Sequence, residues 1–243
     1  MPRVNSAPAC PNVLQLVEWF ECHTCYSLIL EHPHIPCQDL QSFCEENGCL
    51  DESFAKKGLV QLITVLKHRE SHRVLHRDIK PESLLISTAS HDIKLLDFGC
   101  GDVLKDSAFT SFAWMFLVFL GLSGTLEYVL SEWFQQHCYH AGPATVWSAG
   151  MTLYNILCRC FPFTAAWRVS SKIKPHFSRE LYTGKRYFFF FSFVFLKTVL
   201  CVTECRQLIS WCLSAAAADH PSSDDSLAIP GKTEQVASDI TLI

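Results

Sequence analysis

The chain has 243 residues, 49% of them hydrophobic and 18% charged, with a formal net charge of -4. That length holds one large domain or two small ones, and the apolar fraction can build a substantial core, which excludes global disorder. The mild acidity argues against a nucleic-acid binder, which needs a basic stripe to meet phosphates.

Thirteen cysteines are scattered along the chain, and the opening Met1-Pro2-Arg3-Val4-Asn5 has no apolar signal core. They therefore read as reduced thiols of the cytoplasm or nucleus. Cys22-His23-Thr24-Cys25 has CxxC spacing. No second pair lies at a zinc-finger distance, which favours ordinary thiols over a metal or redox site.

In chain order, Val13–Glu21 alternates and then runs apolar, and Tyr26–Leu30 is a second apolar run. The pair predicts two neighbouring strands. Pro33 and Pro36 break the pattern. Leu40–Asn47 predicts a short helix ending at Gly48. Phe54, Leu59, Leu62, Ile63 and Leu66 recur at helical spacing and predict a helix over Asp51–Glu70 with one buried face. Leu84–Ile86 and Ile93–Leu96 predict two short strands. Val146–Leu157 and Cys205–Leu213 predict helices. The tail from Asp219 is rich in Ser, Asp, Pro and Gly and is expected to fray.

Two apolar stretches fit nothing around them. Phe112–Leu122 is apolar throughout, and Phe188–Leu196 is interrupted only by Ser192. Both are well short of the roughly 20 residues that span a bilayer, so burial is expected rather than membrane insertion.

His76-Arg77-Asp78-Ile79-Lys80-Pro81-Glu82-Ser83 and Asp97-Phe98-Gly99 carry the chemistry. An aspartate in a loop can accept the proton of an attacking hydroxyl. A lysine two residues on can reach a transferring phosphate. A second aspartate beyond a strand pair can hold Mg²⁺ against phosphates. Phosphoryl transfer is mostly positioning plus charge neutralisation, and two carboxylates and a cation at fixed separation supply that.

With these motifs in order, the chain resembles a eukaryotic-type protein serine/threonine kinase. Within that class it is similar to the Pim family. The likeness runs through Pro11–Leu16, Glu18–Glu21, Leu28–Pro33, Cys37–Leu40, Val74–Lys80, Lys94–Gly99, Leu104–Asp106, Gly124-Thr125, Ser131–Trp133, Val146–Ser148, Phe161–Phe163 and Trp211–Leu213. The proline-bearing Leu28–Pro33 and a Val-Trp-Ser segment preceded by Thr145 instead of aspartate point to Pim among kinases.

The resemblance implies an α+β, protein-kinase-like fold with a mostly helical C-lobe. Residues 1–36 would be an N-lobe remnant and hinge. Residues 37–218 would be the C-lobe, with apolar insertions near 113–123 and 189–201, and 219–243 a flexible tail. The remnant strands would leave an exposed sheet edge. The insertions have the Phe, Ser, Val and Leu content of a translated pyrimidine-rich tract and read as translated intron remnants or gene-model errors.

It also implies ATP and Mg²⁺ as cofactors. Asp78 would be the catalytic base, Lys80 the γ-phosphate contact and Asp97 a Mg²⁺ ligand. Glu31 would meet the adenine edge, with Leu85 below the ring. Asp39, Glu82 and Thr125 would face protein substrates with Arg-rich Ser/Thr sites. Asp39 and Glu82 read equally as solvated loop carboxylates without that context. The protein would act as a monomer, away from membranes and nucleic acid.

Three departures accompany the likeness. No glycine-rich phosphate loop precedes Val13 and no lysine precedes Lys56, so the N-terminal half of an ATP site is not expected in this stretch. Ser83 stands where the pattern has asparagine, leaving a hydroxyl as the second metal ligand. His220 stands where the pattern has the arginine that pairs with the glutamate at Glu132. These departures leave three outcomes: an active kinase, a pseudokinase serving as an interaction module, or an inactive fragment.

Overall fold

The computed structural model describes residues 8–33, 36–48, 52–111, 126–163, 207–214 and 220. The two apolar stretches, Thr125, the whole segment 164–206 and the tail apart from 220 lie outside these. The described residues form an α+β fold dominated by helices, with three small sheets.

Strands β1 (Leu16–Glu21) and β2 (Tyr26–Leu30) pair antiparallel as a hairpin. The first strand starts at Leu16 instead of Val13, because the preceding residues are used elsewhere. Val13 forms a parallel bridge to Leu95, and the Leu14 N–H donates to the Leu95 carbonyl at 3.0 Å. Cys10, Val13 and Leu14 are buried as a result. The hairpin itself exposes Val17, Trp19, Phe20, Tyr26, Leu28 and Ile29. The hairpin thus carries exposed apolar side chains on both faces.

Strand β3 (Cys37–Asp39) leads into helix α1 (Leu40–Asn47), which ends at Gly48 as the sequence predicts. Gly48 has φ +74° and its N–H caps the Cys44 carbonyl, a conformation that favours glycine. Helix α2 (Glu52–Ser71) follows. Strand β4 (Val74–Leu75) pairs with the later β7 (Asp102–Val103). Between them, β5 (Leu84–Ser87) and β6 (Ile93–Leu95) join β3 in a three-stranded antiparallel sheet of order β3-β5-β6.

Helix α3 (Ser131–Gln136) precedes α4 (Ala141–Cys158), and residues 207–212 form α5. The α4 helix begins earlier than the apolar run at Val146 indicates, because Pro143 fits a first helical turn and Ala141 is buried.

Helix α4 is apolar nearly all round and is buried accordingly. Its Trp147, Met151 and Tyr154 pack with Tyr128, Tyr139, Leu208 and Ile209. Its Ala149 and Ile156 belong to a second cluster with Val13, Phe43, Ile79, Leu84, Ile86 and Leu95. The helix therefore bridges the two halves of the core. Arg69 adds a polar tie, donating to the Val74 carbonyl at 3.1 Å and to the Thr145 hydroxyl at 2.7 Å. Thr145 in place of aspartate thus leaves this arginine with neutral acceptors. Burial lowers its pKa to about 10, so it stays charged at neutral pH.

Two glycines give opposite expectations. A Cβ on Gly150 would lie 2.7 Å from the Cys212 Cβ, so α4 and α5 need glycine at their crossing. A Cβ on Gly58, inside α2, would meet nothing within 4 Å. Gly58→Ala is expected to stabilise the fold by about 1 kcal/mol from helix propensity alone, raising the thermal midpoint by about 2–4 °C. Gly150→Ala is expected to lower it. Differential scanning calorimetry of the two variants checks both signs.

Candidate active site

The segment from Val74 to Ser83 carries Asp78 and Lys80, and the turn after β6 carries Asp97. Buried Ile79 anchors the first of these, and the Thr152 hydroxyl of α4 donates to its carbonyl at 3.3 Å. A short 3₁₀ turn, Pro81–Ser83, then feeds β5. Asp97 is exposed and left-handed, with φ 61° and ψ 68°, and its Oδ1 accepts the Gly99 N–H at 3.2 Å.

His76 joins these two loops. It is 0% exposed. Its Nδ1 accepts the Asp78 N–H at 3.3 Å, and its Nε2 donates to the Leu96 carbonyl at 2.9 Å. Those partners require the neutral tautomer protonated on Nε2. Phe98 packs against the ring edge-on, with centroids 4.7 Å apart. Burial pushes the His76 pKa down to about 4, with the Leu96 carbonyl opposing that shift.

Asp78 is 6% exposed. Its Oδ2 pairs with the Lys80 ammonium at 2.8 Å, while its Oδ1 is buried with no hydrogen-bond partner. Burial pushes its pKa up, Lys80 pulls it back, and Asp97 adds a smaller upward push. The net shift is upward, which strengthens the carboxylate as a base.

Ser83, 1% exposed, turns its hydroxyl inward to donate to the Asp78 carbonyl at 2.8 Å. Arg77 has a left-handed φ of 68° and is held by three contacts. It donates to the Cys100 carbonyl at 2.6 Å and the Gly101 carbonyl at 3.5 Å, and it pairs with Asp102 at 3.1 Å. Left-handed backbone at a bulky residue is strained, and such strain clusters where a fold positions chemistry.

Leu85, Asp39 and, through Lys94, Glu31 gather on one face of the β3-β5-β6 sheet. Leu85 lies opposite both Asp39 and Lys94, and directly opposed residues share a face. Lys94 forms an ion pair with Glu31, whose Oε1 also accepts the Gln15 N–H at 3.1 Å. Burial pushes the Glu31 pKa up, but Lys94 and Gln15 outweigh it and hold the carboxyl below its usual range. Asp39 caps α1, accepting from the Ser42 N–H at 2.9 Å and the Ser42 hydroxyl at 2.6 Å. Glu82 is exposed at the start of the 3₁₀ turn.

So Asp78, Lys80 and Ser83 share one loop, His76 ties that loop to the turn of Asp97, and Glu31, Leu85 and Asp39 line the neighbouring sheet face. Thr125 lies outside the described residues. Sequence reasoning missed Lys94 as the partner of Glu31. The signal available was its outward position between buried Ile93 and Leu95. It also missed His76 as a crosslink, which no local pattern reveals. The His220 Nε2 bonds to the Ser214 carbonyl at 2.8 Å, and the Glu132 Oε2 is buried without a hydrogen-bond partner. Among the described residues, no helix is long and apolar enough to cross a membrane, and no cluster of three or more His, Cys, Asp or Glu side chains could hold a metal.

The neutral, buried His76 makes stability depend on pH. Unfolded, it takes up a proton below about 6.5, whereas folded it does so only below about 4. Its contribution is fully present above the higher value and is lost as pH falls towards the lower one. Between pH 7 and pH 5 this costs about 2 kcal/mol. Urea unfolding at the two pH values measures the loss, and His76→Gln is expected to flatten that part of the profile.

Comparison with known proteins agrees with this geometry. The protein kinase domain family model matches residues 3–230. The chain is 36% identical over 231 residues to the serine/threonine-protein kinase pim-2 of Danio rerio, covering 95% of this chain and 64% of that protein. It is 32% identical to serine/threonine-protein kinase prk-2 of Caenorhabditis elegans, over 62% of this chain and 32% of that one. A PAS domain-containing serine/threonine-protein kinase of Mus musculus is 31% identical over 63% of this chain and 10% of its own. The chain thus spans less than two thirds of the length of each of these relatives. By the family match and the site it builds, this chain belongs to the protein kinase family.

Proposed function

We propose that the chain serves a serine/threonine kinase of Pim type, which transfers the γ-phosphoryl group of ATP to Ser or Thr in basic, Arg-rich proteins. The observation that carries this is the divided carboxylate of Asp78: one oxygen is held by Lys80 and the other is buried and free of partners. An acceptor hydroxyl that reached this oxygen would supply the partner it lacks, and the carboxylate would take its proton as the hydroxyl oxygen attacks phosphorus. Lys80 is then at hand to neutralise charge on the transferred group.

Asp97, exposed beside this pair, fits a Mg²⁺ ligand, because a hard cation takes carboxylate oxygen and the Asp97 charge already reaches Asp78. Mg²⁺ would neutralise the phosphates. Ser83 is the second candidate ligand. Its proton is committed to the Asp78 carbonyl, which leaves only its oxygen lone pairs. Glu31 and Leu85 would border the adenine. Of the acidic candidates Glu82 is the better exposed to read a substrate arginine, and Thr125 would also contact the substrate. Asp39 would add to it with the capacity left after capping α1. The protein would work as a monomer in the cytoplasm or nucleus.

A second reading, an interaction module without turnover, draws on the inward-turned and nearly inaccessible hydroxyl of Ser83. One experiment separates the two. Phosphate incorporation from Mg·ATP into an Arg-rich serine peptide is expected to exceed that into an acidic control. Asp78→Asn is expected to lower it by about 10²–10⁴-fold. Equal incorporation by both proteins, or none by either, contradicts the kinase reading.

The base must be ionised, and its folded pKa is raised. The acid limb of kcat/KM should therefore lie above the ordinary aspartate value, as a pH–rate profile of the same reaction measures.

A further inference from the structure

The kinase reading leaves Cys22-His23-Thr24-Cys25 unused. The structure puts it at the tip of the β1–β2 hairpin, one step beyond the last registered pair, Glu21 opposite Tyr26. The ladder continues there, because the Cys22 N–H donates to the Cys25 carbonyl at 2.8 Å. The two cysteines therefore face each other across a two-residue link.

Opposed residues of an antiparallel pair have Cα atoms about 4.5–5.5 Å apart and side chains on one face. A disulfide takes Cα separations of about 4.4–6.8 Å, so it can close here with little backbone movement. Both thiols are free and exposed, whereas the other described cysteines are buried or half-buried. Without a third ligand for a metal among the described residues, a dithiol is what remains.

We propose that Cys22 and Cys25 form a reversible redox pair that closes a disulfide across the hairpin tip by exchange with a small-molecule disulfide. One cysteine thiolate attacks a sulfur of that molecule. The mixed disulfide forms and the first small thiol leaves. The other cysteine then attacks the protein sulfur of the mixed disulfide and expels the second small thiol. Two protein thiols are oxidised, one small disulfide is reduced to two thiols, and no other oxidant is needed.

The enclosed loop is short, so closing it removes little freedom from the unfolded chain, and the exposed bond stays open to reduction. This makes the pair a switch and not a staple. It acts on the hairpin whose second strand runs directly into Glu31 and its contact with Lys94.

The test uses the full chain equilibrated with graded ratios of reduced to oxidised glutathione, then acid-quenched and alkylated. Cleavage after Glu21 and Glu31 releases residues 22–31, whose only cysteines are these two. Mass spectrometry of that peptide is expected to show loss of two hydrogen atoms, with neither glutathione nor alkyl groups added. Dithiothreitol should restore double alkylation. Cys25→Ser should trap glutathione on Cys22, and Cys22→Ser should trap it on Cys25. The proposal fails if the wild-type peptide carries stable glutathione. It fails equally if both cysteines stay alkylated at a ratio that modifies either single variant, or if neither variant takes up glutathione at any ratio.

Discussion

The imidazole of His76 joins the loop of Asp78 to the turn of Asp97, and the geometry of the site depends on that join. One ring nitrogen receives the N–H of Asp78 and the other gives its proton to the carbonyl of Leu96, the residue before Asp97. A protonated ring would lose its acceptor and face the Asp78 N–H donor to donor. Full burial keeps the ring neutral and so keeps both bonds. The loops that carry the two carboxylates are thereby tied together although eighteen residues lie between Asp78 and Asp97, and the charge of Asp97 adds a small upward push to the Asp78 pKa.

Around this crosslink the lobe is built for rigidity. Helix α4 runs through the core and holds the loop of Asp78 through Thr152 and Ile79. Arg77 accepts a left-handed backbone in return for three contacts with the segment after Phe98. Ser83 holds the carbonyl of Asp78 from the other side. Each tie fixes backbone, which leaves the Asp78 carboxylate to be set by Lys80 alone. The upper hairpin contrasts with this. Its strands hydrogen-bond to each other but expose apolar side chains on both faces.

Much of this could be read from the sequence, for physical reasons that differ between elements. Helix α2 announced itself by periodicity, and the end of α1 by Gly48, whereas the capping role of Asp39 needed the structure. The motifs around Asp78 and Asp97 were legible because their chemistry fixes residue types at fixed separation. Strands β3, β4 and β7 were not, because two or three residues give no period. Helix α3 was missed because six residues give little more. Val13 was assigned to the first strand because an apolar residue looks the same in a hairpin as in the parallel bridge it makes to Leu95. The Glu31–Lys94 pair and the bonds of His76 join distant parts of the chain, and no local pattern encodes them. Ser83 shows the converse. Its replacement of asparagine was visible, but the inward direction of its hydroxyl needed the fold.

The most direct test of the account is the protonation state of His76, read by ¹⁵N NMR of the imidazole in labelled protein. The account predicts a neutral ring with its proton on Nε2, unchanged from pH 7 down to about pH 5, because its folded pKa lies near 4. A ring that titrates with a midpoint near the ordinary histidine value, or that carries its proton on Nδ1, would contradict it.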